Sequence, residues 1–371
     1  MVIEAVRRLV ERLDGNLQEG DLGEPSFRPP ENYRHIPFCE ENFKPIPPVD
    51  CDKLLFFVDG GNQEIVGAPN FSVQLNRVYF SVFRGGERVL ENFLPERVEF
   101  FSATHSRCRN EKIFYDTLLI PVKQEFQQLL PDEEDLSFDS MDRTVMNGVQ
   151  RANISQVASI ARKFAEWSYA RHLIQEEMEE GDVLVRDGSL RATFTHEAKY
   201  AQEVYEAARS KDVILTGLCK SSRLFTTTGL SLLGAVSKFA VDHQVPYESW
   251  YLPVAEAESE EHNAMIFVVK LAEVADYIFR YELDREQFRT LEEEEVERIM
   301  CQLAENARDV SFPGYPYGLV DADRFARVTE EDVEGYRALL LSEVSKQGGW
   351  EKFSRHIRAM DAHSILNRLM R

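Results

Sequence analysis

The sequence predicts an α/β fold, a mixed sheet flanked by helices, on three observations. An all-apolar run, LLFFV, leads into an acid and two glycines, two longer β-type runs follow it, and two more apolar runs come after helical stretches. At 371 residues, 43% hydrophobic and 11% aromatic, the chain can bury a sizeable core as one elaborated domain or two.

The opening MVIEAVRRLVERLDG sets Val2, Val6, Leu9 and Leu13 on one face of an amphipathic helix, with charges between them. Residues 15–50 carry Pro25, Pro29, Pro30, Pro37, Pro45, Pro47 and Pro48, which sustain neither helix nor inner strand and predict an extended connector. LLFFV is the first strand, ending in a turn at Asp59-Gly60-Gly61. FSVQLNRVYFSVFRGG and RVLENFLPERVEFFSAT are the second and third, joined by a turn at Gly85-Gly86.

The spacing of Ile154, Val157, Ile160, Ala161, Phe164 and Tyr169 predicts a helix over 153–179, which runs into the strand VLVRD. A second helix over 196–209 connects to VILTGLCKSS, and a strand-helix-strand unit of this length implies a parallel crossover. The order βββαβαβ, antiparallel then parallel, is the ribonuclease H-like arrangement. A helix near 230–239, strand candidates WYLPV, AMIFVVKL and YIFRYEL, and amphipathic helices near 292–307, 330–344 and 350–370 elaborate that core. The organisation expected is an arm and connector over 1–50, a main body over 51–330 and C-terminal helices over 331–371 packed on the same body.

The net charge of −21, from 64 acidic and 43 basic residues, excludes a protein that coats nucleic acid by general phosphate attraction. A nucleic-acid path must be local, although bound divalent cations reverse the sign of a carboxylate-lined site. Five scattered cysteines with no C-x-x-C pair indicate neither a disulfide framework nor a zinc site, which fits a reducing, cytoplasmic setting. The longest apolar stretch, AMIFVVKLAEVADYIF, is broken by Lys270 and Glu273, too short a run for a membrane span.

Two acids stand where apolar strands end, Asp59 in LFFVDGG and Asp187 in VLVRDGSL. In α/β sheets the carboxyl ends of strands open onto the ligand crevice. Alone, each reads first as a turn or cap residue; two on neighbouring strands point to a site. Nucleases cluster carboxylates because Mg²⁺ and Mn²⁺ prefer oxygen ligands, and two ions about 4 Å apart serve both the attacking and the leaving oxygen. Glu166, in ARKFAEWSYARHLI, is a third candidate, with Arg162 one turn earlier offering the alternative of an ordinary surface pair.

The set FFVDGGNQ, FAEWSYARHLI leading to VLVRDGSL, GLCKSS, VVKL with YIFRYEL, and GYPYGLVDADRFARV resembles the NurA nuclease family from about Lys53 to Val328. The resemblance implies a ribonuclease H-like core and Mn²⁺-dependent (or Mg²⁺-dependent) DNA cleavage, with 5′ to 3′ exonuclease and single-strand endonuclease activity. It also implies a homodimer acting with a HerA-type hexameric ATPase in DNA end resection. By position it places metal ligands at Asp59, Glu166 and Asp187, and Lys220 at a lysine suited to hold the scissile phosphate. In GYPYGLVDADRFARV, Asp323 stands where the family often has histidine, which makes Asp323 a ligand and leaves the metal preference open; Asp321 ranks below it. Two ions are expected on these four acids.

For DNA contact, SATHSRCRNEK gathers His105, Arg107, Arg109 and Lys112 after Phe100 and Phe101, as a binding strip or a solvated loop. Tyr315 and Tyr317 either stack on bases or pack the turn around Pro316. Two rival readings are a non-catalytic DNA-binding or assembly subunit of the same ATPase complex and an actin-like ATPase or sugar kinase. The intact acids count against the first, and the lack of further glycine-rich phosphate loops against the second. The N-terminal helix either docks the partner ATPase or packs on its own body or a dimer mate.

Overall fold

The computed structural model describes residues 2–14, 20–49, 53–90, 93–348 and 351. The helix expected over 350–370 lies outside the described residues. The sheet is built from β1 (Leu55–Ala68), β2 (Phe71–Arg84), β3 (Arg97–Arg109) and β4 (Lys112–Pro121), all antiparallel neighbours in that order. After α2 (Ile160–Glu176) comes β5 (Val183–Asp187), and after α3 (Glu197–Ser210) comes β6 (Ile214–Cys219). β5 lies between β1 and β6 and runs parallel to both. The central order is therefore β3-β2-β1-β5-β6, antiparallel on one side of β1 and parallel on the other, as the sequence order requires.

The far edge is completed by α4 (Leu232–Asp242) and the antiparallel strands β7 (Trp250–Glu258), β8 (Asn263–Lys270) and β9 (Phe279–Asp284), with β9 docking on β6. The chain then forms α5 (Glu293–Asn306), α6 (Tyr317–Ala326) and α7 (Glu330–Lys346), while α1 (Val2–Asp14) precedes everything and buries no residue.

Residue alternation along β1 assigns its two faces. Phe56 and Val58 enter a core with Phe164, Ala165 and Leu184 beneath α2 and α3. Leu55 and Phe57 enter another with Val183, Val185, Met300, Leu319 and Ala322 beneath α5 and α6. A strand buried on both faces must be apolar throughout, which is why LLFFV has no polar interruption.

Three expectations are revised. β1 does not end at Asp59: β2 pairs with it through Asp59↔Tyr79 and Gly60↔Val78 as far as Ala68↔Phe71, so the ladder continues across both glycines. The third run continues into a further hairpin, β3 to β4, turned by Asn110 and Glu111 at positive φ without a glycine signal. The connector is extended but not a spacer: Tyr33–His35 and Lys44–Pro45 pair with β7, and Phe27 and Phe43 are buried. An edge tolerates prolines because one side of the strand needs no ladder donor. The acidic stretch AEAESEEHN closes β7 with AEAE and turns to β8 with the rest.

α7 is tied to the sheet by a buried ion network. Arg77 of β2 donates to Glu99 at 2.5 Å, to both oxygens of Asp332 at 2.8 and 3.1 Å, and to the Arg327 carbonyl at 2.9 Å. Arg77 also holds the Asp332 carboxyl well below the ordinary carboxylate range. Arg77→Ala would leave Glu99 buried without a cation, with the Tyr336 hydroxyl still donating to it; urea unfolding should show a loss of about 3–5 kcal/mol. A loss under about 1 kcal/mol would mean the network contributes little.

Candidate active site

β1 and β5 are in parallel register with Phe57 opposite Val185, so the next residues on that face, Asp59 and Asp187, come side by side. β6 continues the row: Leu218 sits opposite Asp187, and Lys220 follows two residues on. α6 lies across the same face, with Gly318 seated on the Phe57 ring, where any Cβ would collide. One and a half turns later Asp323 reaches the row.

Carboxylate oxygens of Asp59, Asp187 and Asp323 lie within 4.8 Å of one another. The Lys220 ammonium joins them, 2.7 Å from Asp187, 2.7 Å from Asp323 and 3.7 Å from Asp59. Against the effect of burial, the three acids push the Lys220 pKa up. Burial, reinforced by Asp187 and Glu166, pushes the Asp59 carboxyl up to about 8. Such a site is short of positive charge, and Lys220 marks where a cation sits. Hard oxygen donors alone, without thiolate or imidazole, fit Mg²⁺ or Mn²⁺ better than zinc.

The glycines after Asp59 allow this convergence. A Cβ at Gly60 would run into the Glu166 carboxylate and Arg162 on α2, and one at Gly61 into the Ala326 carbonyl at the end of α6. Close approach, not a turn, is what the pair provides. Glu166 approaches from the α2 face, buried, with one oxygen taking Arg162 and the other taking Arg186 at 2.9 Å. The structure thus brings Asp59, Asp187, Asp323 and Lys220 together and leaves Glu166 at the border, bound to two guanidinium groups.

Asp321 turns away from the cluster toward Arg88, 3.4 Å away, which separates it from Asp323. Tyr315 is 4% exposed, its ring against Phe279 and Phe312, so no face is left for a base. Its hydroxyl has no hydrogen-bond partner among the described residues, and burial with the nearby Asp187, Asp59 and Asp323 drives its pKa up. Arg107, Arg109 and Lys112 lie on the β3–β4 hairpin, about 40 Å of strand from the residue that aligns with Asp59. Arg109 is already paired with Asp116 and Lys112 with Asp139. The hairpin is therefore remote from the acids.

Sequence reasoning missed the support beneath the Asp187 loop. Glu282, fully buried, accepts from the Leu190 amide at 2.7 Å, from Ser189 Oγ and from His262 Nε2 at 3.0 Å, and pairs with Arg280. Despite burial, those partners hold its carboxyl well below the ordinary range. The signal was present: Arg280, Glu282 and Asp284 alternate through an otherwise apolar strand. Gly217 completes the support, since a Cβ there would meet the Gly188 carbonyl at 2.5 Å.

The NurA domain family matches residues 53–328, about three quarters of the chain. The chain belongs to the NurA family. Its members are nucleases, and the acid cluster falls inside the matched span. Among solved structures, the NurA nuclease from Sulfolobus solfataricus is similar at 13% identity and TM-score 0.49, covering 94% of this chain and 95% of that one. The catalytic domain of human Endonuclease V is similar at 11% identity and TM-score 0.34, over 74% and 81% of the two chains. Aquifex aeolicus Argonaute gives 12% identity and TM-score 0.28, over 75% of this chain and 28% of that one. No curated protein matches. No helix among the described residues is long and apolar enough to cross a membrane.

The raised Asp59 pKa has a defined sign. Between its ordinary 3.8 and about 8 the folded chain holds a proton that the unfolded chain releases, so metal-free stability falls as pH rises through that window. Asp59→Asn should stabilise the metal-free protein at pH above about 8 by about 1–3 kcal/mol in thermal melts. No gain there would mean that Asp59 ionises normally.

Proposed function

We propose that this chain is a divalent-metal-dependent deoxyribonuclease acting on single strands and on DNA ends. The observation that carries this reading is the three carboxylates converging within 4.8 Å around one ammonium group. In this reading Asp59, Asp187 and Asp323 hold Mn²⁺ or Mg²⁺, with Glu166 contributing from the border, and four acids suffice for two ions. A bound ion supplies Lewis acidity toward the phosphoryl oxygens and lowers the pKa of coordinated water.

The chain's own residues then have distinct tasks. Asp59, held protonated first by burial and then by its acidic neighbours, would serve as a ligand in its ionised form, which a bound cation would favour. Lys220, placed among the three acids, would hold the scissile phosphate through its ammonium, where charge develops. Glu282 and Gly217 fix the Asp187 loop so that the carboxylate keeps its place. Burial by α6 and Tyr315 excludes bulk water from the inner side of the cluster.

Purified protein should cleave single-stranded DNA in Mn²⁺, and Asp59→Ala and Asp187→Ala should each lower the rate by about 100-fold or more while the protein stays folded. Full activity in either variant sinks the assignment. Asp323→His, the residue that the family often carries there, should retain activity with an altered metal preference.

Single-strand endonuclease and 5′ to 3′ exonuclease activity, dimerisation and action with a HerA-type hexameric ATPase in end resection are part of the same proposal, supported by the family membership. The exposed α1 suits a docking role: it buries no residue and presents Val2, Val6, Leu9 and Leu13 at 50–78% exposure. Deleting residues 2–14 should abolish co-purification with the ATPase and spare cleavage of single strands; unchanged association rules docking out.

A further inference from the structure

Beside the acid cluster lies a cleft of about 290 Å³ that shares Asp187 and Glu166 with it. Its walls carry Arg28, Arg162, Lys163, Arg186, Arg191 and Arg280 against the acids Glu166, Asp187 and Glu197. Six cations to three anions is an inversion in a chain of net charge −21. The acids are also already satisfied. Glu166 takes Arg162 and Arg186, Asp187 takes Lys220, and Glu197 accepts from Trp167 Nε1 and the Thr193 and Phe194 amides.

Three of the cations remain uncommitted. Lys163 is largely buried, yet among the described residues its ammonium makes no ion pair or hydrogen bond, lying only 5.0 Å from the centre of the Phe194 ring. Arg28 is exposed and likewise unpaired among the described residues, and Arg191 approaches only Glu261, at 3.9 Å. Burial pushes the Lys163 pKa down, and the neighbouring Arg186 and Arg162 add to that against the pull of Glu197 and Glu166. Arg186 is fixed flat over the Trp167 ring, 4.2 Å from its centre, with Nε buried and unpartnered. A half-buried group of cations held close with too few counter-anions stores repulsion that an anion relieves.

The same lining carries apolar side chains. Phe27 and Tyr33 stack with ring centres 4.8 Å apart, and Leu224 stands with them in the lining. Cations and a partly exposed aromatic ring in one lining match a nucleotide, with its phosphate on the cations and its base against the ring. The volume is at the lower end of ligand pockets, which run to roughly 300–1,000 Å³, and admits one nucleotide of a single strand. Continuity with Asp187 places that nucleotide next to the phosphodiester at the acid cluster.

We propose that this cleft is the subsite for the nucleotide adjoining the scissile phosphate, with Lys163 and Arg191 on its phosphate and Tyr33, backed by Phe27, against its base. The inference rests on the nuclease reading for the identity of the strand, and it gives the proline-rich segment a task, since Phe27, Arg28 and Tyr33 all come from it. The local cationic path demanded by an acidic chain is then this cleft and not the remote β3–β4 hairpin.

The test is binding of an internally labelled single-stranded oligodeoxynucleotide to the full chain, followed by fluorescence anisotropy over a salt series with Ca²⁺ filling the oxygen-ligand site. Lys163→Ala with Arg191→Ala should weaken binding by about tenfold or more and flatten the log–log salt slope by about 0.7 for each phosphate no longer neutralised. Lys163→Arg should restore binding. Affinity and slope unchanged in the double variant, with its melting temperature also unchanged, overturn the subsite, as does a wild type that binds no single strand.

Cleavage by the wild type in Mn²⁺ is scored separately. Binding that depends on Lys163 and Arg191 without any metal-dependent cleavage supports the cleft and sinks the nuclease. Cleavage with binding indifferent to both residues sinks the cleft alone.

Discussion

Two consecutive residues without side chains, in the middle of the central strand, are the constraint on which the rest of the site depends. Gly60 admits Glu166 and Arg162 of α2 on one face of β1, and Gly61 admits the C-terminal end of α6 on the other. A larger residue at Gly61 meets the backbone at the end of α6 and pushes it outward, carrying Asp323 away from Asp59 and Asp187, whereas one at Gly60 must displace the Glu166 carboxylate and Arg162 that frame the neighbouring cleft. The ladder to β2 keeps the strand regular through the glycines and so compensates for their flexibility.

The electrostatic organisation follows from that closeness. Three carboxylates on one face repel, and the chain offsets the repulsion with a proton on Asp59 and a single ammonium, Lys220. A divalent cation on the three carboxylates would offset the same repulsion, which favours their ionised forms. On the α2 face the logic is reversed, with guanidinium groups in excess around one carboxylate. An acidic chain can hold both because each group keeps its own counter-charges, and they meet at the strand ends, where Asp187 borders the cluster and the cleft.

A second layer supports this arrangement from the far edge of the sheet. Glu282 on β9 reaches under β6 and β5 to hold the loop after Asp187, and Gly217 lets that loop lie close. The antiparallel strands β7 to β9 are thus more than an elaboration, since one of them positions a residue of the cluster. The proline-rich segment, docked on β7, does the same for the cleft wall.

The sequence by itself determined the βββαβαβ order, the pairing of Asp59 with Asp187 on neighbouring strands and the absence of a general nucleic-acid-coating charge, because periodicity and chain order are local properties of the residues. The identity of two site members, Glu166 and Asp323, came from the resemblance and not from spacing; nothing in FAEW or DADRF distinguishes a site acid from a surface one. The tertiary structure supplies the physical reason that Asp323, and not Asp321, faces the cluster: the two differ by a helix rotation whose zero is set by Phe57 seating Gly318. It also decided that Tyr315 is a wall and not a stacking platform, and that Gly60-Gly61 is a contact and not a turn. The physical reason is common to all three: a side chain's neighbours across the sheet lie tens or hundreds of residues away, and no local pattern records them.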